Sequence, residues 1–394
     1  MPWNWRVIVS IWGLVILAMS AGSAEAVPGC PFCAPSDPPF SHRLAACDVA
    51  LLVKWVSLES KIESQTESTT FEVIEVFRST TRKFKPTDKV TWEFGRNGEP
   101  GDPFLLLGAE GKDGITWEKP ISLAGEYLLK YIQKVPPIDA PDRLTFFLKF
   151  LEFPDSEICN DAYAEFSRAE FKDVAALAGK LPREKLRKWL STSDPQAQVR
   201  LGLYGMMLGL GGDDSDAAFL ESLIMKVPDP NQPRLGIDGM MAGYLLLTGE
   251  RGLQKLSDAK FNDPKSEDDL VPLINALVFL WEYAQDRIPA QPIRAAMRRF
   301  LDRPRMASSV VENLSRWQDW ESLDRLIASY GMPPFDTSLT KQKVVIFALV
   351  CVKDGKKTSP DMLPPSAIAA RKFLDGLDPE VVKSAEISLK RGGR

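Results

Sequence analysis

A single histidine, His42, serves the whole chain of 394 residues. Histidine-rich metal centres are thereby excluded, because they gather several imidazoles around one ion. Ser-His-Asp and Cys-His catalysis each need an imidazole as base, so His42 is the sole candidate for either. The sequence permits a Cys33–His42 dyad, while an exposed or locally hydrogen-bonded histidine accounts for the residue with fewer assumptions. Cysteine is also scarce, at Cys30, Cys33, Cys47, Cys159 and Cys351. Small disulfide scaffolds carry more of them in a shorter chain, so this fold must stand mainly on burial of apolar surface. No block of one charge sign occurs. Lysine and arginine number 49 against 53 acids, for a net charge of −4, with both signs interspersed. Without a basic face or polybasic tail, neither nucleic acid nor an anionic membrane is expected as a partner. Beyond the N-terminus no apolar run is long enough to span a bilayer.

What is present begins with an export signal. Val7 to Ala18, VIVSIWGLVILA, is an apolar run behind the positive charge of Arg6, and it is short for a membrane span. The small residues SAGSAEA follow, in which Ala24 and Ala26 make the A-x-A pattern that signal peptidase accepts. Residues 1–26 therefore read as a signal peptide cut after Ala26, with a retained anchor as the alternative. Lipid attachment at Cys30 is disfavoured, because Val27-Pro28-Gly29 is a poor box for it. The mature chain is expected to be soluble and either secreted or periplasmic. Its length and a hydrophobic share of 44% allow two cores of ordinary size.

Texture changes once, at the proline-rich VPPIDAP of Val135 to Pro141. In residues 27–137, strand-length runs rich in β-branched or aromatic side chains alternate with turn residues. They are Val49 to Leu58, Thr70 to Phe77, Lys89 to Phe94, Pro103 to Leu107 and Glu126 to Ile132, preceded by a helical turn near Ser41 to Cys47. A small antiparallel β-barrel or sandwich is expected. In residues 138–394 the period lengthens to nearly four, from DRLTFFLKFLEF (Asp142 to Phe153) onward, with Pro, Gly, Asp or Ser at the breaks. That half is expected to be all-α.

Four motifs invite chemistry. Cys30-Pro31-Phe32-Cys33 has the C-P-x-C letters of glutaredoxin, but a redox pair needs a helix N-terminus just behind a strand to lower the thiol pKa. No strand fits upstream, and Pro35, Pro38 and Pro39 discourage a helix downstream. A structural disulfide between Cys30 and Cys33 is the leading reading, ahead of a redox role and of metal binding. Cys47, Cys159 and Cys351 lie on apolar or helical stretches and read as buried thiols, with a Cys47–Cys159 bridge as the sharper alternative. GLGGDDSD, Gly209 to Asp216, lacks the spacing of a calcium loop and the lysine of a phosphate loop. It reads as a helix C-cap followed by the next N-cap. RWQDW, Arg316 to Trp320, places Trp317 and Trp320 on one face of an expected single helix, as a packed seam. No catalytic, cofactor or metal set emerges. Acids are plentiful, so carboxylate chemistry survives, though nothing singles out two of them.

Three stretches of the second half share a pattern: FPDSEICNDAYAEF, SDPQAQVRLGLYGMML and LDPEVVKSAEISL. Asp and Pro open each, and apolar residues follow four apart: Ile158 with Ala162, Val199 with Leu203, Val381 with Ala385. This resembles HEAT-type helical repeats over roughly Pro141 to Leu389, which implies an α-solenoid whose stacked helices hold another macromolecule. Cysteines soon after the signal and a five-strand pattern more loosely resemble a netrin-type or metalloproteinase-inhibitor-type OB barrel. Here Val27 to Cys30 would precede the position where those inhibitors begin, and their later half-cystines are missing, so only the fold is implied. The expected function is an exported, non-catalytic binding or scaffold protein whose partner is another protein or a surface polymer. Rival expectations are a thiol-disulfide oxidoreductase using Cys30 and Cys33, a carboxylate-based carbohydrate-active α/α enzyme, and an inhibitor-like N-terminal module.

Overall fold

The computed structural model describes residues 29–34, 36–61, 66–80, 82–123, 125–227, 233–358 and 362–392. The signal peptide expected over residues 1–26 lies outside them. A short helix, α1 (Phe40–Ala46), leads into an antiparallel sheet of β1 (Val49–Lys61), β2 (Thr66–Ser79), β3 (Lys89–Trp92), β4 (Pro103–Gly111), β5 (Gly114–Trp117) and β6 (Ile121–Ser122). The strand order is β3-β2-β1-β4-β5, with β6 also on β4. Among the described residues no pairing joins β3 to β5 or β6, so the ladder does not show barrel closure.

Strand β1 lies between β2 and β4, with Val49 opposite Ser79 and Gly108. Its first residues, VALLV, are apolar without alternation, and both of their faces are covered. Val49, Leu51 and Val53 join Phe71, Val73, Val90, Phe104 and Leu106 in a cluster on one side. Ala50, Leu52, Leu105 and Leu107 face the other way, into the same cluster that fills the helical half. The period-two alternation of side chains thus divides the two strands between two cores.

Helices occupy the rest: α2 (Glu126–Ile132), α3 (Arg143–Phe147), α4 (Ser156–Arg168), α5 (Phe171–Ala175), α6 (Arg183–Leu190), α7 (Pro195–Gln198), α8 (Leu201–Gly211) and α9 (Asp214–Ile224). They continue with α10 (Ile237–Asn262), α11 (Leu270–Tyr283), α12 (Ala290–Arg298), α13 (Ala307–Arg316), α14 (Leu323–Ala328), α15 (Ser338–Thr358), α16 (Pro365–Asp375) and α17 (Pro379–Gly392). Helices near in sequence pack together, α8 on α10, α10 on α11, α11 on α12, α12 on α13, and α15 on α13, α16 and α17. The α8–α10 seam is lined by glycine. A Cβ on Gly209 would lie 2.2 Å from Gly243 Cα, and one on Gly243 would lie 2.0 Å from Gly205 O.

Four expectations need correction. Glu126–Ile132 is helix α2, because Leu128, Tyr131 and Ile132, spaced i, i+3 and i+4, are its buried positions. The two-residue and four-residue strands β6 and β5 were too short to stand out as apolar runs. The stretch around RWQDW is not one helix: Gln318 takes φ 55°, ends α13 and sends Asp319 inward to Arg298. Trp317 is nonetheless buried, stacked on Trp281 at 4.6 Å. Finally, Ile158 and Ala162 are fully buried, but Val199 falls in the break between α7 and α8 and is 45% exposed, and Val381 is 40% exposed.

Candidate functional site

Residues 29–34 and 36–41 form a strap laid across helix α4. Asp155 caps α4, accepting the N–H groups of Glu157 and Ile158, which fixes where the helix starts and which residues face the strap. The backbone N–H of Cys30 donates to Ser167 O at 2.9 Å, and that of Ala34 to Tyr163 Oη at 2.8 Å. Arg168 donates to Ser36 O, and the hydroxyls of Ser36 and Ser167 are bonded to each other. Cys30 and Cys33 form a disulfide with Cα atoms 5.4 Å apart. The loop it closes carries Phe32 inward, where its ring lies 5.0 Å from that of Phe279. A Cβ on Gly202 would come within 2.5 Å of Phe32 O, so glycine there is what lets the loop sit down. Among the described residues the first helix begins at Phe40, so neither sulfur stands at the N-terminus of a described helix. Cys47 and Cys159 are separate buried thiols, and the bridge between them is not formed. Cys47 packs with the shared core and Cys159 lies on α4, with burial raising the pKa of both thiols.

The strap rests on two buried acids, Asp161 and Glu165, one helical turn apart on α4. Asp161 accepts the backbone N–H of Phe40 at one oxygen and the hydroxyl of Tyr131 at the other, each at 2.6 Å. Burial pushes its pKa up to about 6, although both hydrogen bonds favour the charged form. Tyr131 is raised as well, first by burial and then by the charge of Asp161. Glu165 accepts from Ser41 Oγ and pairs with Arg143. His42 sits beside them with its pKa lowered, chiefly by burial, against the opposing pull of Glu165. Its Nε2 is buried without a hydrogen-bond partner among the described residues.

A groove of about 650 Å3 runs along this contact, with Asp37, Arg43, Glu157, Asn160, Asp161 and Tyr163 in its walls. It therefore presents acids of differing character. Asp161 has both oxygens engaged in holding Phe40 and Tyr131, whereas Glu157 is exposed. Composition and spacing alone do not single out Asp161, Glu165 and Tyr131. The available signal was the pair of acids four apart in NDAYAEF, on the stripe that also carries Ile158 and Ala162.

Elsewhere buried charge links one helix to the next. Asp216 is fully buried, opposite Arg183 and Arg187 of α6. Asp269 is paired with Arg234 and Lys260, Asp319 with Arg298, and Glu152 with Arg200 and Tyr204 Oη. GLGGDDSD behaves as its residues suggest: α8 ends at Gly211, and Asp213 with Asp216 forms a capping box for α9. Among the described residues no group of three or more His, Cys, Asp or Glu is placed to hold a metal ion, and no helix is long and apolar enough to cross a membrane. Comparison with known proteins returns no match, whether to family models, curated proteins or solved structures.

Proposed function

We propose that the protein is an exported, non-catalytic binding or scaffold protein, whose helical half presents a surface to another protein or to a surface polymer. The observation that carries this reading is the use made of buried charge. Asp216, Asp269 and Asp319 are each consumed by arginine or lysine of a neighbouring segment, so they join helix to helix instead of converging on a hollow. A buried acid stripped of its partners costs about 3–5 kcal/mol, so such links hold the helices in one arrangement. A stack resembling HEAT-type repeats, with an N-terminal module resembling an OB barrel, agrees with this reading. The Cys30–Cys33 disulfide is taken as structural, holding Phe32 in its place.

The reading is tested in intact producing cells. Photo-crosslinking residues placed at exposed Val271 and Ile368 are expected to capture one recurrent macromolecule, and the same residue at Ile74 on the sheet is not. Mass spectrometry of the exported chain is expected to find Val27 first. Loss of either outcome overturns the corresponding half of the proposal.

One observation favours a second reading, in which the strap groove hydrolyses a glycosidic bond. Asp161 and Glu157 share one groove wall, and burial pushes the pKa of Asp161 up to about 6. Two carboxylates suffice for that chemistry once Phe40 or Tyr131 releases an oxygen of Asp161. Glycan turnover that Asp161→Asn and Glu157→Gln each abolish, in folded protein, would establish it over the scaffold reading.

A further inference from the structure

A second cavity, of about 530 Å3, shares no lining residue with the strap groove. It opens between the C-terminal ends of α10 and α12 and the helix α14. Arg298, Arg299, Arg303 and Arg325 stand in its walls with Phe261 and Asp302. Arg298 is spent, since Asp319 accepts from its Nε and Nη2 and Glu321 pairs with its Nη1. The other three are held through their Nη nitrogens only in part. Arg299 pairs with Asp258 at 2.7 Å, Arg303 with Glu267 at 3.2 Å, and Arg325 with Asp302. Arg303 also donates to Phe261 O and Arg325 to Arg298 O. None of these contacts uses an Nε.

Two features bear on what the cavity would accept. Helix C-terminal carbonyls repel anions, but here Arg303 occupies one such carbonyl of α10, Phe261 O, and Arg325 one of α12, Arg298 O. The guanidinium groups of Arg299 and Arg303 also lie over the single ring of Phe261, at 4.4 and 5.7 Å. Cation–π attraction and the flanking acids thus hold both guanidinium groups at one ring in the cavity wall.

We propose that this cavity binds a small phosphorylated molecule, with Arg299, Arg303 and Arg325 donating the N–H groups their own acids leave over. A planar guanidinium meets phosphate oxygens edge-on, and the acids behind each arginine fix its direction in advance. A phosphate monoester offers three oxygens to the N–H groups left over by these pairs, where a lone carboxylate offers two. The volume suits a small molecule.

Calorimetric titration of the full chain at constant ionic strength tests this, with inorganic phosphate, pyrophosphate and glycerol 3-phosphate in separate arms. Saturable binding below about 1 mM is expected for at least one of them, and the tightest arm tells free phosphate from its ester. The double variant Arg299→Gln/Arg303→Gln is expected to weaken it at least tenfold. Arg325→Gln, on a partly exposed side chain, is expected to weaken it severalfold and decides the matter if the double variant fails to fold. Absence of saturation in all three arms, or affinity unchanged in a folded variant, overturns the proposal.

Discussion

Asp161 is the residue whose environment has the most measurable consequence. Its carboxyl is raised from the ordinary 3.8 to about 6 by burial, so the folded protein binds a proton there that the unfolded chain has already lost. For a raised acid the linkage runs one way: this contribution to stability is greatest below pH 4 and is lost as pH rises through 6. A rise of that size is worth about 3 kcal/mol. Asp161→Asn should therefore flatten the fall in stability between pH 4 and 7, as urea unfolding at several pH values would show. A difference between variant and wild type that does not change with pH would refute it. His42 works in the opposite sense, since a histidine with lowered pKa favours folding as pH rises, which is why the comparison must be made against wild type. At the strap, Cys30→Ser releases a four-residue loop, for which chain entropy alone gives about 2 kcal/mol. Phe32→Ala should cost more, about 3 kcal/mol, because the buried ring leaves a hole beside Phe279. Both would be read as shifts of the denaturant midpoint.

Among elements, the seam between α8 and α10 carries the sharpest expectation. Replacing glycine by alanine inside a helix normally stabilises it by about 1 kcal/mol. At Gly209 the new methyl would meet the backbone of Gly243 at 2.2 Å, which no rotamer can relieve. Overpacking of this kind costs about 3 kcal/mol, so Gly209→Ala should destabilise, whereas Gly179→Ala, with open space around it, should not. A melting temperature for Gly209→Ala at or above that of wild type would rule out so close an approach.

Element type was legible wherever one physical signal dominated. The long apolar runs of β1, β2 and β4 announced strands, and GLGGDDSD announced a helix end and a new cap. Glu126–Ile132 misled because EYLLKYI satisfies strand propensity while its burial follows a helical period, and only tertiary contact selects between them. The break at Gln318 was illegible for a related reason, since no glycine or proline marks it. The candidate site was half legible. The Cys30–Cys33 pair could be read from spacing, but the convergence of Asp161, Glu165, Tyr131 and Arg143 on the strap depends on how distant segments dock.

For the molecule as a whole, the shared apolar cluster matters most. Ala50, Leu52, Leu105 and Leu107 of the sheet belong to the cluster that also holds Ile158, Leu203 and Leu277. Sheet and helices should accordingly open together. Native-state hydrogen exchange is expected to give the amides of β1 and β4 the same opening free energy as those of α8. Protection of the sheet amides that disappears well before that of α8 would mean that the sheet stands alone.

The strap also constrains the order in which the chain can settle. Its Ala34 waits for Tyr163, 129 positions later, and Phe32 waits for a ring on α11. During synthesis the leading segment must therefore stay loose, its two thiols exposed to whatever oxidant surrounds them, until most of the protein has been made. An oxidising folding environment would let the small ring close early and arrive preformed; a reducing one would leave the last closing step to an open, wandering end.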